Sequence, residues 1–258
     1  MTPLIRRGQI AEASTRPAST LAVSDVAAWG ARRRLILFVA LGIAAYLIAM
    51  LWTMPASVVF NNRPWRSGIA GTVWNGEVGV AGGSTLSWRW APLRSLTSLG
   101  FAVDWRATGN DTDMGGRALL RPGRVVIDSL SGRADASLLQ AIQPNLPFTC
   151  DMAMQAEFPR VAIGGSGQMV QGNAVTEAGS CAPKGGGVPT SVAPLALTAQ
   201  HIGTESRLTI APATQRRRTL MTVVLGEDGS YKIDMTRDGA TMLPFVGLPG
   251  GASIAGEM

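Results

Sequence analysis

The sequence is poor in the side chains that carry most enzyme chemistry. Its 258 residues include one histidine, His201, and two cysteines, and only 16% of them are charged. Any histidine-based triad or metal site would depend on His201, which lies in a strand-like stretch without a ligand-spaced companion. We therefore predict a protein that is not an enzyme, with no cofactor and no metal site, in which His201 is structural or exposed.

Two further patterns are too weak to indicate chemistry. Asp111 and Asp113 stand in a loop with glycine and threonine, where a solvated turn is favoured over a weak cation site. The glycines of residues 164–167 are followed by neither Lys-Ser/Thr nor a helix, so they do not form a phosphate loop.

The positive charge is concentrated near the N-terminus. The net charge is +6, but six of the 23 basic residues and only two of the 17 acidic residues precede residue 35. A later cluster, Arg216-Arg217-Arg218, is interpreted as a solvated turn, and no nucleic-acid-binding motif accompanies it. The charge therefore indicates membrane orientation and argues against a nucleic-acid partner.

An uncharged run of membrane-spanning length follows these basic residues. Leu35–Met54 contains 20 residues without a charge, which reach about 30 Å as a helix, the thickness of the hydrocarbon core of a bilayer. Arg32, Arg33 and Arg34 directly precede it, and Trp52 near its far end suits an interfacial aromatic residue. A cleaved signal peptide and an amphipathic transit peptide are the alternatives to an uncleaved anchor.

The positive-inside rule then predicts three segments. Residues 1–34 form a mostly disordered basic leader in the cytoplasm, and residues 35–54 form the transmembrane anchor. Residues 55–258 form a β-rich domain on the far side of the membrane. A run of glycine and proline permits a subdivision of this domain near residues 180–190.

Alternation of apolar and polar residues with period two dominates the exported part. Residues 86–90 and 101–105 alternate in this way, and their pairing as a hairpin would place Trp88, Trp90, Phe101 and Trp105 on one face. Residues 148–158 are expected to form one strand, and short helical turns are expected at 93–99 and 136–142. The predicted fold is an all-β domain with a twisted or curved antiparallel sheet, in one layer or two.

Both cysteines lie in the exported part. Its compartment permits disulfides, and the even count fits one bridge between Cys150 and Cys181. A pair of free, buried thiols is the alternative.

Tryptophan is unusually frequent beside the anchor. Seven tryptophans stand against two tyrosines, and Gly71 and Gly76 are expected to bracket a short strand, Thr72–Trp74. Core packing is the simplest interpretation of these side chains, and a surface that binds a partner or lipid is the functional alternative. The candidates for either role are Trp74, Trp88, Trp90 and Trp105, and the crowded region also contains Trp52 and Trp65.

The order of motifs around the anchor resembles one protein family. After the basic residues and the apolar run come Met54-Pro55-Ala56-Ser57, the stretch GIAGTVWNG at residues 68–76 and LSWRWAPL at residues 86–93. This order over roughly residues 32–96 resembles the type II secretion system protein N family, and the similarity continues more loosely to residues 244–251. The long leader and the cysteine pair depart from the family pattern.

The resemblance implies a non-catalytic accessory or scaffold component of the bacterial inner membrane. Such a protein supports the export of folded proteins from the periplasm across the outer membrane. Its partners would be other inner-membrane or periplasmic components of the secretion system, together with the lipid bilayer around Leu35–Met54.

An AsmA-like lipid-handling protein is the alternative. That family is similar in having one N-terminal anchor and a long curved sheet, and the apolar alternate faces of this chain would suit a lipid-binding groove. A closed core filled by side chains would favour the scaffold, whereas an open apolar groove would favour lipid binding.

Overall fold

The computed structural model describes residues 22–59, 66–80, 83–136, 138, 140, 146–165 and 167–257. By its internal contacts the chain forms two units, Met1–Thr53 and Met54–Met258. Residues 1–21 of the predicted leader and Trp65 lie outside the described residues.

The first unit contains helix α1, Ala22–Trp52. Its part Arg32–Trp52 is long and apolar enough to cross a membrane, with a mean hydropathy of 2.6. The helix begins ahead of the predicted apolar run because residues 22–34 are rich in alanine and arginine, which favour helix. The segment boundaries 1–34, 35–54 and 55–258 stay a prediction.

The second unit is an all-β domain with a few short helices. The helices are α2 Ala56–Val59, α3 Pro92–Ser98, α4 Arg237–Met242 and a 3-10 helix Pro244–Val246. Ala136, Leu138 and Gln140 are also helical, as predicted for residues 136–142, of which Leu139 and Ile142 lie outside the described residues. The strands are β1 Arg66–Gly71, β2 Asn75–Val80, β3 Ser84–Trp90, β4 Phe101–Thr108, β5 Asp113–Arg121, β6 Arg124–Asp135, β7 Phe148–Asp151, β8 Ala153–Ile163, β9 Met169–Thr176, β10 Gly179–Pro183, β11 Thr190–Val192, β12 Leu195–Ile202, β13 Glu205–Pro212, β14 Met221–Gly226, β15 Ser230–Met235 and β16 Ser253–Glu257.

The described strands form two antiparallel sheets. One has 13 strands in the order β1-β2-β3-β4-β5-β6-β8-β9-β12-β13-β14-β15-β16, and the other has three in the order β11-β10-β7. Since β1 and β16 are its outer strands, the large sheet is open. The predicted fold class, an N-terminal apolar helix followed by an all-β domain with an antiparallel sheet, is confirmed.

The predicted tryptophan hairpin is present. In the pairing of β3 with β4, Trp88 lies opposite Trp105 and Trp90 lies opposite Val103. Side chains of directly opposed residues project from the same face, so the alternation of both strands places their large aromatics together.

The prediction of one strand over residues 148–158 is wrong. The chain breaks at Met152, so that β7 pairs with β10 in the small sheet while β8 pairs with β6 and β9 in the large one. Alternation alone cannot reveal this break, because both strands keep the same period on either side of Met152.

The short strand predicted at Thr72–Trp74 is also wrong. These residues form the turn between β1 and β2, in which the Thr72 backbone N–H donates to the carbonyl of Asn75 at 2.8 Å. Gly71 has a φ of +85°, the left-handed region that glycine enters without a steric cost. Thr72 keeps one strand-like feature, an isolated bridge to Pro55.

The large sheet continues across the predicted subdivision near residues 180–190. That stretch connects β10 to β11 within the small sheet, while β9 and β12 on either side of it pair directly in the large one. Strands from before and after it therefore share one sheet.

Three register shifts bend the large sheet. They lie between Ser67 and Ala70 in β1, between Gly115 and Arg117 in β5, and between Glu157 and Arg160 in β8. An extra residue in one strand of a pair bends that strand and increases the local twist.

An aromatic corner forms where β2, β3 and β4 meet. The Trp74 ring centroid lies 4.7 Å from that of Trp90 and 5.8 Å from that of Phe101. The Trp88 indole N–H donates to the Val73 carbonyl at 3.0 Å, and the Trp90 indole N–H donates to Ser95 Oγ at 2.8 Å. Trp74, which is half-buried, therefore connects the β1–β2 turn to the hairpin.

A disulfide between Cys150 and Cys181 joins β7 to β10. The two cysteines are directly opposed in the small sheet, and Cys181 is buried in a core cluster with Val192, Leu220 and Phe245. The bridge therefore fixes the small sheet where it packs against the domain core.

We expect Trp74→Ala to lower the free energy of unfolding by about 2–4 kcal/mol, since it removes a half-buried ring from two aromatic contacts. Trp74→Phe is the matched control and should lose less. The measurement is the urea unfolding midpoint of the full chain in detergent. Equal midpoints for wild type and Trp74→Ala would contradict the packing described here.

Loss of the disulfide should lower stability by about 3–4 kcal/mol, the chain-entropy estimate for a closed loop of this sequence separation, 31 residues. The double variant Cys150→Ala/Cys181→Ala is compared with wild type by urea unfolding, with and without reductant. Reductant should affect only the wild type. Two titratable thiols in the denatured, unreduced wild type would show that the bridge is absent.

Candidate functional site: an apolar face of the large sheet

One row of directly opposed residues crosses eleven neighbouring strands of the large sheet, from β2 to β15. Because opposed residues share a face, the row defines one continuous face of the sheet. Every member is apolar or glycine, and at a strand spacing of about 4.8 Å the row is roughly 48 Å long. Its members are Val78, Leu86, Ala107, Met114, Gly132, Ala156, Ala174, Leu197, Ile210, Met221 and Met235.

The middle of this apolar row is occupied by small residues. Gly132, Ala156 and Ala174 are consecutive partners there, and Leu138 packs in the same core cluster as the two alanines. A Cβ at Gly132 would collide with the backbone of Asp113 and Met114. The neighbouring strand therefore requires glycine at position 132, and the two alanines leave room for Leu138 to cover the centre of the face.

A partly open cavity of about 400 Å³ lies over the β2–β6 half of the apolar row. Its walls include Trp88 and Trp105, and its whole lining is apolar. The other lining residues are Val80, Leu86, Val103, Ala107, Met114, Ala118, Ile127, Leu130 and Leu138. Concave apolar cavities of this size are where proteins hold small apolar ligands.

A second cavity of about 220 Å³ lies over the other half of the apolar row. The disulfide residues Cys150 and Cys181 form part of its wall, opposite Ile210 and Met221 of the large sheet. Ala136 also lines it, so the helical segment that contributes Leu138 to the first cavity contributes Ala136 to the second. The small sheet therefore covers one end of the face without filling it.

The four tryptophans predicted to pack in the core or to form a binding surface lie in two places. Trp88 and Trp105 line the larger cavity, while the rings of Trp74 and Trp90 contact each other at a tilt of 54° in the aromatic corner. Arg32, Arg33 and Arg34, predicted to set membrane orientation, lie in the separate first unit, within α1.

The single histidine belongs to a partly buried polar group. His201 Nδ1 lies 3.0 Å from Ser206 Oγ, and its Nε2 lies 3.8 Å from a carboxylate oxygen of Glu227. These residue types match a Ser–His–Glu triad, but Ser206 is fully buried and its Oγ accepts a hydrogen bond from the Val170 backbone N–H at 3.0 Å. A nucleophile must reach its substrate, so this group supports the structural interpretation of His201.

The charged residues singled out in the sequence are paired or exposed. Asp113 binds Arg106 through both carboxylate oxygens, at 2.8 and 3.0 Å. Residues 216–218 lie in an exposed turn, as predicted. There Arg218 donates to Asp238 at 2.7 Å, and this hydrogen bond, with the attraction between the charges, holds the pKa of Asp238 below its usual range. Among the described residues no cluster of three or more His, Cys, Asp or Glu side chains could hold a metal ion.

The continuity of the apolar row was missed by the analysis of the sequence. Alternation indicates which residues of a strand share a face, but the row also depends on the register between strands. Two of its junctions, β6 with β8 and β9 with β12, join strands that are separated by other elements in the chain. A count of matching apolar positions across all the strand candidates is the signal that could have found it.

Comparisons with known proteins identify the family. Residues 63–249, more than half of the chain, match the sequence model of type II secretion system protein N. No curated protein and no solved structure matches the chain. The match agrees with the resemblance of the tryptophan motifs around residues 68–93, and it extends through the strands that carry the apolar row. The chain belongs to the type II secretion system protein N family.

Proposed function

We propose that this component of the type II secretion system is a non-catalytic scaffold of the bacterial inner membrane. In this proposal residues 1–34 lie in the cytoplasm, residues 35–54 cross the membrane and residues 55–258 lie in the periplasm. There the β domain contacts other inner-membrane or periplasmic components of the system and supports export of folded proteins across the outer membrane.

The observation that carries the proposal is the family match over residues 63–249, which covers nearly the whole β domain. The apolar helix supports the membrane attachment, and Arg32–Arg34 at its start support the orientation through the positive-inside rule. The non-catalytic role is supported by the burial of Ser206 beside the one histidine. The open sheet also has two edge strands, β1 and β16, at which a partner's strand could pair, whereas a closed barrel has none.

A strain that lacks this protein is expected to accumulate folded secreted proteins in the periplasm while its outer membrane stays impermeable. Proteins are compared between medium and periplasm, and leakage of a resident periplasmic enzyme serves as the permeability control. Expression of the full chain should restore secretion. Normal secretion in the deletion strain would contradict the proposal.

A lipid-handling function, as in AsmA-like proteins, is the second candidate. It is favoured by the open sheet, by the roughly 48 Å apolar row and by the cavity of about 400 Å³ with its apolar lining. A core filled by side chains would have favoured the scaffold alone. The space over β2–β6 is instead a cavity. The two functions remain distinct, because only the second requires a lipid molecule within the domain.

If lipid occupies the larger cavity, the purified full chain should carry it, and Ala118→Phe should reduce the amount. Ala118 lines the cavity, and an added ring would take up part of its volume. Ala255→Phe, the same change at an exposed position of β16, is the control. Mass spectrometry of extracted lipid measures the amount of lipid per protein in each variant. Equal lipid content in both variants would eliminate binding at this site.

A further inference from the structure

Exposed apolar side chains of the β domain concentrate at one end of its strands. Ten large hydrophobic residues are exposed in the described part of the second unit. Six of them lie at one strand end of the large sheet, the end at which β3 passes into α3, between β3 and β8 in the order of that sheet. We call these six the apolar rim: Leu93, Leu96, Leu99, Leu120, Val125 and Ile163.

Helix α3 presents its leucines to the outside. Leu93 and Leu96, three residues apart, share one side of the helix and are 81% and 75% exposed. The polar Ser95 points the other way, where its Oγ accepts from the Trp90 indole and from the Ala102 backbone N–H. This orientation is the reverse of that in a helix packed on a soluble domain, whose apolar side faces the core.

Leu99 is exposed in spite of an unfavourable backbone conformation. It ends α3 with a φ of +48°, and its side chain is 86% exposed. Glycine is the usual residue at such a helix end because a Cβ is disfavoured there. A leucine at this position gains nothing from packing within the domain, which indicates a contact outside it.

The apolar rim continues along the sheet through directly opposed residues. Phe101 at the start of β4 pairs with Leu120, Leu120 pairs with Val125, and Val125 pairs with Ile163. The exposed residues of β5, β6 and β8 therefore form one ladder that begins beside α3. Contiguous apolar surface of this kind marks an interaction site.

The same end of the domain carries the residue at which the chain leaves the membrane anchor. The Val73 backbone N–H donates to the Met54 carbonyl at 3.1 Å, and Pro55 bridges to Thr72. The next residue, Trp74, accepts from the Trp90 backbone N–H at 2.7 Å. Two contacts thus connect Met54, at the end of the proposed span, with the strand that leads into α3.

Basic side chains accompany the apolar rim. Arg94 lies within α3 and pairs with Asp104 at 2.8 Å. Arg121 and Arg124 flank the turn between Leu120 and Val125, and Arg124 donates to the Gly167 carbonyl at 3.0 Å. Arg121 Nε donates to the Ser98 carbonyl at 3.1 Å, which holds its guanidinium beside the leucines. Arginine beside exposed leucine, with tryptophan close by, is the pattern of a surface that rests in the interfacial region of an anionic bilayer.

We propose that the apolar rim inserts into the leaflet of the membrane from which the chain emerges at Met54. The inference rests on the membrane anchoring that the proposed function includes, and its occupant is the lipid surface itself. The span would hold the protein in the membrane, and the rim would hold this end of the β domain against the leaflet.

The test uses the full chain in vesicles of phosphatidylethanolamine and phosphatidylglycerol. Since the two native cysteines are bridged, Leu96→Cys introduces one free thiol for an environment-sensitive fluorophore. Val188→Cys is the control, because Val188 is 85% exposed and lies between β10 and β11 of the small sheet. The small sheet follows the end of β9, which is the strand end opposite to the apolar rim.

Lipids brominated near the head group should quench the label at Leu96→Cys roughly twofold, as expected for a group buried by 5–10 Å. They should leave the label at Val188→Cys unchanged. Equal quenching at both positions would overturn the proposal. Protection of the Leu96→Cys label only after other secretion components are added would also overturn it, in favour of a protein interface.

A second variant separates membrane contact from folding. Leu99→Gly removes the exposed side chain and relieves the left-handed conformation, so its unfolding midpoint should be no lower than that of wild type. In the Leu99→Gly/Leu96→Cys chain the quenching should fall. Unchanged quenching would show that Leu99 does not contribute to the contact. Quenching is independent of secretion, so failure here and failure of the deletion experiment are distinguishable.

Discussion

The structure depends on burying one face of a sheet that does not close. A barrel buries its inner face by curving onto itself, whereas this sheet keeps two edges and must find other cover. The apolar row is the consequence, since each of eleven strands contributes an apolar residue or glycine at the same level. A slip of one residue in any pair would move a whole strand's apolar set to the other face.

The covering elements are small compared with the face they protect. Helical residues near Leu138 cover the middle, where glycine and alanine replace larger residues, and the three-stranded sheet covers one end. What they leave open are the two cavities. An incompletely covered apolar face can bind either a partner's side chains or an acyl chain. A scaffold and a lipid-binding protein can therefore share this structure although their functions differ.

Local patterns in the sequence predicted the features that depend on neighbouring residues. The hairpin of β3 and β4 and the short helix α3 both follow from patterns within a few residues, alternation in the hairpin and a proline at the start of the helix. The break at Met152 was missed because the alternation continues through it, although the two strands join different sheets. The turn at Thr72–Trp74 was missed because its residue types favour strands, while Gly71 and the bond to Asn75 decide otherwise.

The disulfide has a consequence for when the domain matures. Cys150 and Cys181 lie about 30 residues apart, and the strands they join enclose the second cavity. A cytosol keeps thiols reduced, whereas the periplasm oxidises them. In the proposed orientation, a copy whose domain has not crossed the membrane would keep both thiols reduced, and only the backbone ladder between β7 and β10 would join these two strands beside the second cavity. The covalent link between β7 and β10 would thus form only after the domain has reached the periplasm.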